Sequence, residues 1–245
     1  MYRFFVDQSR IGEHEIRIEG ADRNHIRNVL RMKPGEQITV SCGGSLEYTC
    51  QIKAYTEEAA VAEILYAQES KLELASKIWL FQGLPKSDKM EFIIQKAVEL
   101  GVHAVVPMAT KRAVVRLEGK KEEAKRRRWQ GIAESAAKQA KRMIIPEILP
   151  VHRFKDAVAL AETLDVRLIP YELAEDMGHT REIFSNIRPG QSVGLFIGPE
   201  GGFAPEEIKE ATARQIRPIT LGRRILRTET AGMAVLSVLM YLLEE

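Results

Sequence analysis

Two stretches in the C-terminal half of the chain concentrate residues able to do chemistry, "LFIGPEGGFAPEEI" (195–208) and "LGRRILRTETAG" (221–232). In the first, an apolar run ends in a glycine-rich turn, and Pro205 followed by Glu206 and Glu207 opens a helix. Strand, glycine turn and helix is the setting in which free backbone N–H groups hold a phosphate. Here Glu200, Glu206 and Glu207 would repel one, and neither a G-x-G-x-x-G nor a Walker sequence is present. The glycines still admit a ligand close to the backbone. A ligand with a sugar and a base, positive charge and no phosphate suits the loop, and S-adenosylmethionine, with its sulfonium and amino groups, is such a ligand.

Loops of this kind need strands to end on. From about Lys77 the pattern alternates strand and helix: "KIWLFQGL", then "SDKMEFIIQKAVELG", "HAVVPM", a basic helical stretch, "VRLIPYEL", "SVGLFIG", "RPITLG", and a last helix from about Thr230. Met90, Ile93, Ile94 and Ala97 recur at helical spacing, with Ser87 or Asp88 as N-cap and Gly101 as stop. Such alternation predicts an open, mostly parallel α/β sheet, with ligands beyond the carboxyl ends of its strands. Three loops leave such ends: the two above and "PYELAED" (170–176).

Residues 1 to about 70 differ in kind. "RFFVD", "EHEIRIEG", "EQITVSC", "LEYTCQIKAY" and "AAVAEILYA" read as short strands with period-2 alternation, and "DRNHIRNVLRM" as one embedded helix. This predicts a small β-barrel over 1–70, joined through a linker, "AQESKLELASK", to a second domain over 77–245.

Charge is uneven although the net is only +2. Between Lys111 and Arg142 there are twelve Lys/Arg against four Glu, and Trp129 follows Arg126, Arg127 and Arg128 directly, which points to a polyanionic partner such as nucleic acid. On the N-terminal helix Arg23, Arg27 and Arg31 recur at intervals of four, with His25 and Asn28 nearby, and Ile26, Val29 and Leu30 would dock on the barrel. Cys42 and Cys50 read as buried small side chains, and the five histidines show no metal-ligand spacing. The longest apolar stretch, 231–243, is shorter than the roughly 20 residues that cross a bilayer, and the N-terminus has no apolar signal core. The expectation is a cytoplasmic, metal-free protein with no membrane partner.

"IGPEGGFAPEEI" with "LGRRILRTETAGMAVL" resembles the paired cofactor motifs of the ribosomal RNA small-subunit methyltransferase E family, in the SPOUT superfamily. The resemblance extends through "LPKSDKMEFIIQKAVELGV", "RWQGIAESAAKQAKRMIIPEI" and "HIRNVLRMKPGE" in the family's order. It implies a methyltransferase acting on N3 of a uridine in 16S ribosomal RNA, with a PUA-like barrel, a C-terminal α/β domain carrying a trefoil knot, and homodimer formation. A SPOUT enzyme acting on transfer RNA and a non-catalytic RNA-binding assembly factor are the alternatives.

The resemblance places the cofactor against Phe196, Ile197, Gly198, Glu200 and Gly201, then Leu221, Gly222, Ile225 and Leu226, with Glu172 as a further lining position. Arg227 would orient the uracil and stabilise its developing charge, and Glu229 or Glu200 would accept the proton, while Thr228 and Thr230 cap the last helix. Gln139 and Arg142 join Arg23, His25, Arg27 and Arg31 as RNA contacts. The family often carries glycine where this chain has Ser87 and Lys141.

Overall fold

The computed structural model describes residues 1–174 and 176–244. The chain divides into two compact units, one of Met1–Glu73 with Ala137–Ile145, the other of Leu74–Ala136 with Pro146–Glu245.

The first unit holds five strands: β1 (Tyr2–Phe5), β2 (Glu15–Glu19), β3 (Gln37–Ser41), β4 (Leu46–Tyr55) and β5 (Ala59–Glu69). They form one mixed sheet in the order β1-β3-β4-β5-β2, with β1 and β3 parallel and the other pairs antiparallel. Alternation sets the inner face: Ile16 and Ile18 of β2 are buried while Arg17 between them is exposed. Phe4 and Ile16, from the two edge strands, belong to the same apolar cluster as Ile38, Val40 and Ile52, so the sheet is rolled about one core. Among the described residues no ladder joins its two edges, so the expected barrel is an open, curled sheet.

Two expectations change here. The first residues of the supposed linker, Ala67 to Glu69, continue β5 and pair with Tyr48 to Leu46. Further on, Glu73 is an anchor: its carboxylate accepts from Arg142 Nε at 2.9 Å and from the Met143 backbone N–H at 2.6 Å. The N-terminal helix is also not uniform. α1 (Gly20–Asn24) passes into a π-helical turn over His25–Val29, whose wider winding breaks the four-residue spacing of the arginines. Ile26 is buried as expected, but Val29 is 61% exposed. Arg31 lies beyond the turn with φ +53°.

The second unit is a sheet of seven strands, all pairs parallel: β6 (Ile78–Gly83), β7 (Ala104–Ala109), β8 (Glu147–Ile148), β9 (His152–Arg153), β10 (Val166–Pro170), β11 (Val193–Ile197) and β12 (Arg217–Ile219). The order is β12-β10-β11-β6-β7-β8, with β9 also on β7. β11 is buried along its whole length, as a central parallel strand should be. Phe196 stacks on Phe81 of β6 with ring centroids 4.3 Å apart, and Phe154 meets it edge-on.

The helices are α2 (Lys89–Glu99), α3 (Gly119–Gln139), α4 (Phe154–Ala161), α5 (Met177–Ser185), α6 (Pro205–Ala213) and α7 (Thr228–Leu243). α2 buries Met90, Ile93, Ile94, Ala97 and Val98, one face at helical spacing, and packs against α7. Its N-cap position is Asp88, whose side chain makes no capping bond. Trp129 of α3 is 3% exposed and belongs to the core, while Arg127 and Arg128 point outward, so sequence adjacency does not make it a stacking platform beside the arginines. Ser87 and Lys141, the two positions where the family often has glycine, both adopt φ +57°. Non-glycine residues enter this left-handed backbone at a cost of about 1–2 kcal/mol. Cys50 is buried, which pushes its thiol up to about 12, and Cys42 is half-buried. Among the described residues no helix is long and apolar enough to cross a membrane, and no cluster of three or more His, Cys, Asp or Glu could hold a metal.

Candidate functional site

The sheet order locates a crevice before any side chain is considered. β6 and β11 are neighbours, yet the chain leaving β6 passes through α2 to β7 on one side, and the chain leaving β11 passes through α6 to β12 on the other. Where connections diverge in this way, the carboxyl ends of the two strands flank an open crevice that no connection covers. The loops following β6 and β11 therefore meet there.

Their contact is close because Gly83 ends β6. A Cβ on Gly83 would lie 2.6 Å from Pro199 Cδ and 2.7 Å from Pro199 N, so no other residue permits this approach. The start of α7 is tied to the same point. Thr228 Oγ1 donates to Gly198 O at 2.6 Å and accepts from Gln82 Nε2 at 2.9 Å, and Gln82 is fully buried. Thr228 thus occupies the first helical position and cross-links β6, β11 and α7. The N-cap position belongs to Arg227, not to a threonine, which corrects the expected start of this helix by two residues.

The acidic residues that posed the problem in the glycine loop are all engaged. Glu207 turns back to accept the Ala204 N–H at 2.8 Å and also the Lys111 N–H at 2.9 Å, and Glu206 pairs with Lys111 Nζ at 2.8 Å. Glu207, the third residue of α6, thus closes back on the N–H of its N-cap Ala204, and the glutamates of the first turn oppose a phosphate there. Glu200 accepts the Lys86 N–H at 3.1 and 3.3 Å and pairs with Lys89 Nζ at 3.0 Å. Partial burial works against its ionised form, but backbone N–H groups and Lys89 outweigh this and hold the carboxyl below its usual range. The same ammonium lies 3.4 Å from Glu229 Oε2, and its hydrogen bond to Glu200 raises Lys89 above the ordinary lysine value. Sequence reading missed Lys86 and Lys89: both lie in a quoted motif, but nothing in a lysine near a helix start reveals partners more than a hundred residues away.

The remaining residues of the site fall as follows. Phe196 and Ile197 are buried, so only their backbone, at the end of β11, borders the crevice. Gly201 O accepts from Arg112 at 3.1 Å. Leu221 and Leu226 are half-buried, and Ile225 is 81% exposed. Gly222 has φ +96° with open space around it, a conformation that L side chains rarely adopt. Glu172 is exposed just beyond β10, and Arg227 is exposed with no ion pair among the described residues.

In the first unit, Arg23 donates to Thr56 O at 2.8 Å and Arg27 lies over the Tyr55 ring at 5.5 Å, so these two share a side, while Arg31 is exposed past the turn. His25 is exposed with its ring edge toward Phe4. Gln139 is exposed at the end of α3. Arg142 differs from expectation: it is 5% exposed, with its guanidinium on Glu73, and so serves as a strut of the first unit rather than a surface cation.

A family model described as an RNA methyltransferase domain matches residues 72–240, and one described as an RNA methyltransferase PUA domain matches residues 18–65. The chain is 34% identical over 247 residues to ribosomal RNA small subunit methyltransferase E of Bacillus subtilis (strain 168), covering 98% of this chain and 96% of that one. It is 34% identical to the same-named protein of Mesomycoplasma hyopneumoniae (strain 232), covering 97% and 98%. The crystal structure of a ribosomal RNA small subunit methyltransferase E from Neisseria gonorrhoeae bound to S-adenosyl methionine superposes with a TM-score of 0.85 at 31% identity, covering 99% and 98%. With sequence and fold in agreement over nearly its whole length, the chain belongs to the ribosomal RNA small subunit methyltransferase E family.

Proposed function

We propose that the protein binds S-adenosylmethionine in the crevice beyond β6 and β11 and methylates N3 of a uridine in 16S ribosomal RNA of the small subunit. The observation that carries this is a trio of charges at the crevice: Glu200 and Glu229 share a single ammonium, Lys89, so the trio carries one net negative charge. Sulfonium, ammonium and carboxylate sum to +1 on the cofactor, so the charges match. In this reading the end of β11 from Phe196 to Gly198 and the segment from Leu221 to Leu226 border the adenosine and methionine parts, and the space around Gly222 is open. Glu172 and Gly201 complete the lining. When bound, the cofactor supplies a methyl group on a positively charged sulfur.

The chain's own residues prepare the uridine. Arg227, exposed at the start of α7, presents a guanidinium fork to a uracil oxygen, orienting the ring and stabilising negative charge as N3 loses its proton. Glu229, in the first turn of α7, accepts that proton. Because N3 pairs inside a helix, the base must be unpaired or flipped out to reach these groups.

The two units act as an RNA-binding PUA-like domain and a SPOUT domain with a trefoil knot, in the cytoplasm. Two copies form a homodimer, for which the exposed apolar side chains of Val238, Tyr241 and Leu242 on α7 and Phe92 on α2 are a suitable surface. Arg23, His25, Arg27, Arg31 and Gln139 contact the RNA. Replacing Arg23, Arg27 and Arg31 together by alanine should weaken RNA binding across sequences and make its salt dependence shallower by roughly 0.7 to 0.9 per lost phosphate contact, read by titration at several salt concentrations. An unchanged slope would move the RNA surface to the basic stretch from Lys111 onward.

The test of the function is mass-spectrometric mapping of methylated nucleosides in RNA from cells lacking the protein. One methyluridine should vanish from the small-subunit RNA and return with the purified protein. Loss from transfer RNA instead would assign the substrate there, and no loss anywhere would leave a binding protein.

A further inference from the structure

We infer that Lys89 is a positioning residue that sorts two carboxylates into different roles, tying Glu200 into the loop after β6 and holding Glu229 ready to take the substrate's proton. The inference rests on the proposed function and adds a residue to it. Glu200 is occupied on both oxygens by the Lys86 N–H and carries Lys89 Nζ at 3.0 Å as well, so it has little capacity left for a substrate proton. Among the described residues Glu229 is paired only with Lys89, and at 3.4 Å that contact is an ion pair longer than a good hydrogen bond. Its carboxylate is thus held in place by charge with its lone pairs largely open. The side chain of Glu229 is 17% exposed, which limits competition from water.

The position of Lys89 in its own helix supports the reading. It is the first residue of α2, at the end where the helix dipole disfavours a cation, and Asp88 before it makes no capping bond. A lysine there does nothing for α2. What it gains is two carboxylates from elements far away in the chain, the loop after β11 and the first turn of α7.

The test compares wild type, Lys89→Met, Lys89→Arg, Glu229→Gln and the Lys89→Met/Glu229→Gln pair in single-turnover transfer to small-subunit RNA. Cofactor affinity is measured by calorimetry, and the cofactor-free proteins are labelled with carbon-13 at the glutamate carboxyls. At saturating cofactor, Lys89→Met should slow transfer by on the order of tenfold to a hundredfold, because it displaces a reacting group; cofactor affinity, measured separately, reports the changed charge of the trio. Lys89→Arg should recover most of the rate. In the Glu229→Gln background Lys89→Met should cost almost nothing more, since a residue acting through Glu229 has nothing left to act on. In the cofactor-free protein its removal should move the Glu229 carboxyl resonance as well as that of Glu200. A Lys89→Met enzyme at the wild-type rate, a loss that multiplies in full with Glu229→Gln, or an unmoved Glu229 resonance would each overturn the inference while the function stands. A wild-type protein that transfers no methyl to any RNA would overturn the function, and the inference with it.

Discussion

Arg227→Ala should lower the rate of methyl transfer by on the order of a hundredfold or more while leaving cofactor affinity near wild type. Arg227 sits at the N-cap of α7, where the backbone is extended (φ −65°, ψ 156°) and the side chain leaves the helix before the first turn closes. It makes no ion pair among the described residues and is exposed beside a crevice in which Lys89 is already engaged by Glu200 and Glu229. An arginine kept out of ion pairs in such surroundings has its donors available for a planar acceptor edge. The charge it would meet develops only as N3 loses its proton, so the effect belongs to the rate and not to ground-state binding of the cofactor. Calorimetry with S-adenosylmethionine and single-turnover transfer separate the two. Equal rates in wild type and variant would make Arg227 a surface residue.

The same comparison shows what a sequence can and cannot disclose about this site. β4 spans the ten residues that its alternation and turn signals mark, and α2 buries the face that its apolar spacing marks, because both patterns are local. The start of α6 is equally legible: proline at the first position and two glutamates after it do what their chemistry suggests, with Glu207 closing the cap. α4 escapes notice because it is only eight residues long and its N-cap, Arg153, offers no side-chain bond. α5 did carry a signal in Asp176, which accepts the His179 N–H, but Gly178 in its first turn weakens the pattern.

Errors about function came from treating neighbours in sequence as neighbours in space. Trp129 follows three arginines and is in the core; Arg142 stands in a basic run and is consumed by Glu73. The π-helical turn at His25–Val29 likewise changes which residues share a face, and no spacing rule built on 3.6 residues per turn can see it. At the crevice, the types of Glu200, Arg227 and Glu229 were readable. That Gln82, Thr228 and Gly198 are hydrogen-bonded together, and that Lys89 separates the two glutamates, depends on parallel strands remote in sequence lying side by side.

That separation decides which glutamate to remove. Glu229→Gln keeps the shape of the side chain but replaces the acceptor oxygen pair by an amide that cannot take a full proton. Loss of a positioned general base costs typically 10²–10⁴-fold, so transfer near neutral pH should fall by about that range. The variant should then show a dependence on pH that the wild type lacks. With no base in the crevice, reaction requires uridine that has already lost its N3 proton to solvent, and that fraction grows in direct proportion to hydroxide until the base itself is fully ionised. Rate should therefore climb with pH and approach the wild-type rate on the alkaline side. The bond to Glu200 raises Lys89 above the ordinary lysine value and so favours its protonated form during this climb. Glu200→Gln is the control: its oxygens are already taken by Lys86 and Lys89, so its loss should disturb the loop and cofactor affinity without producing the same alkaline rescue. A Glu229→Gln enzyme that is slow at every pH by the same factor would make Glu229 a structural partner of Lys89, and alkaline rescue appearing in Glu200→Gln instead would hand the proton to Glu200.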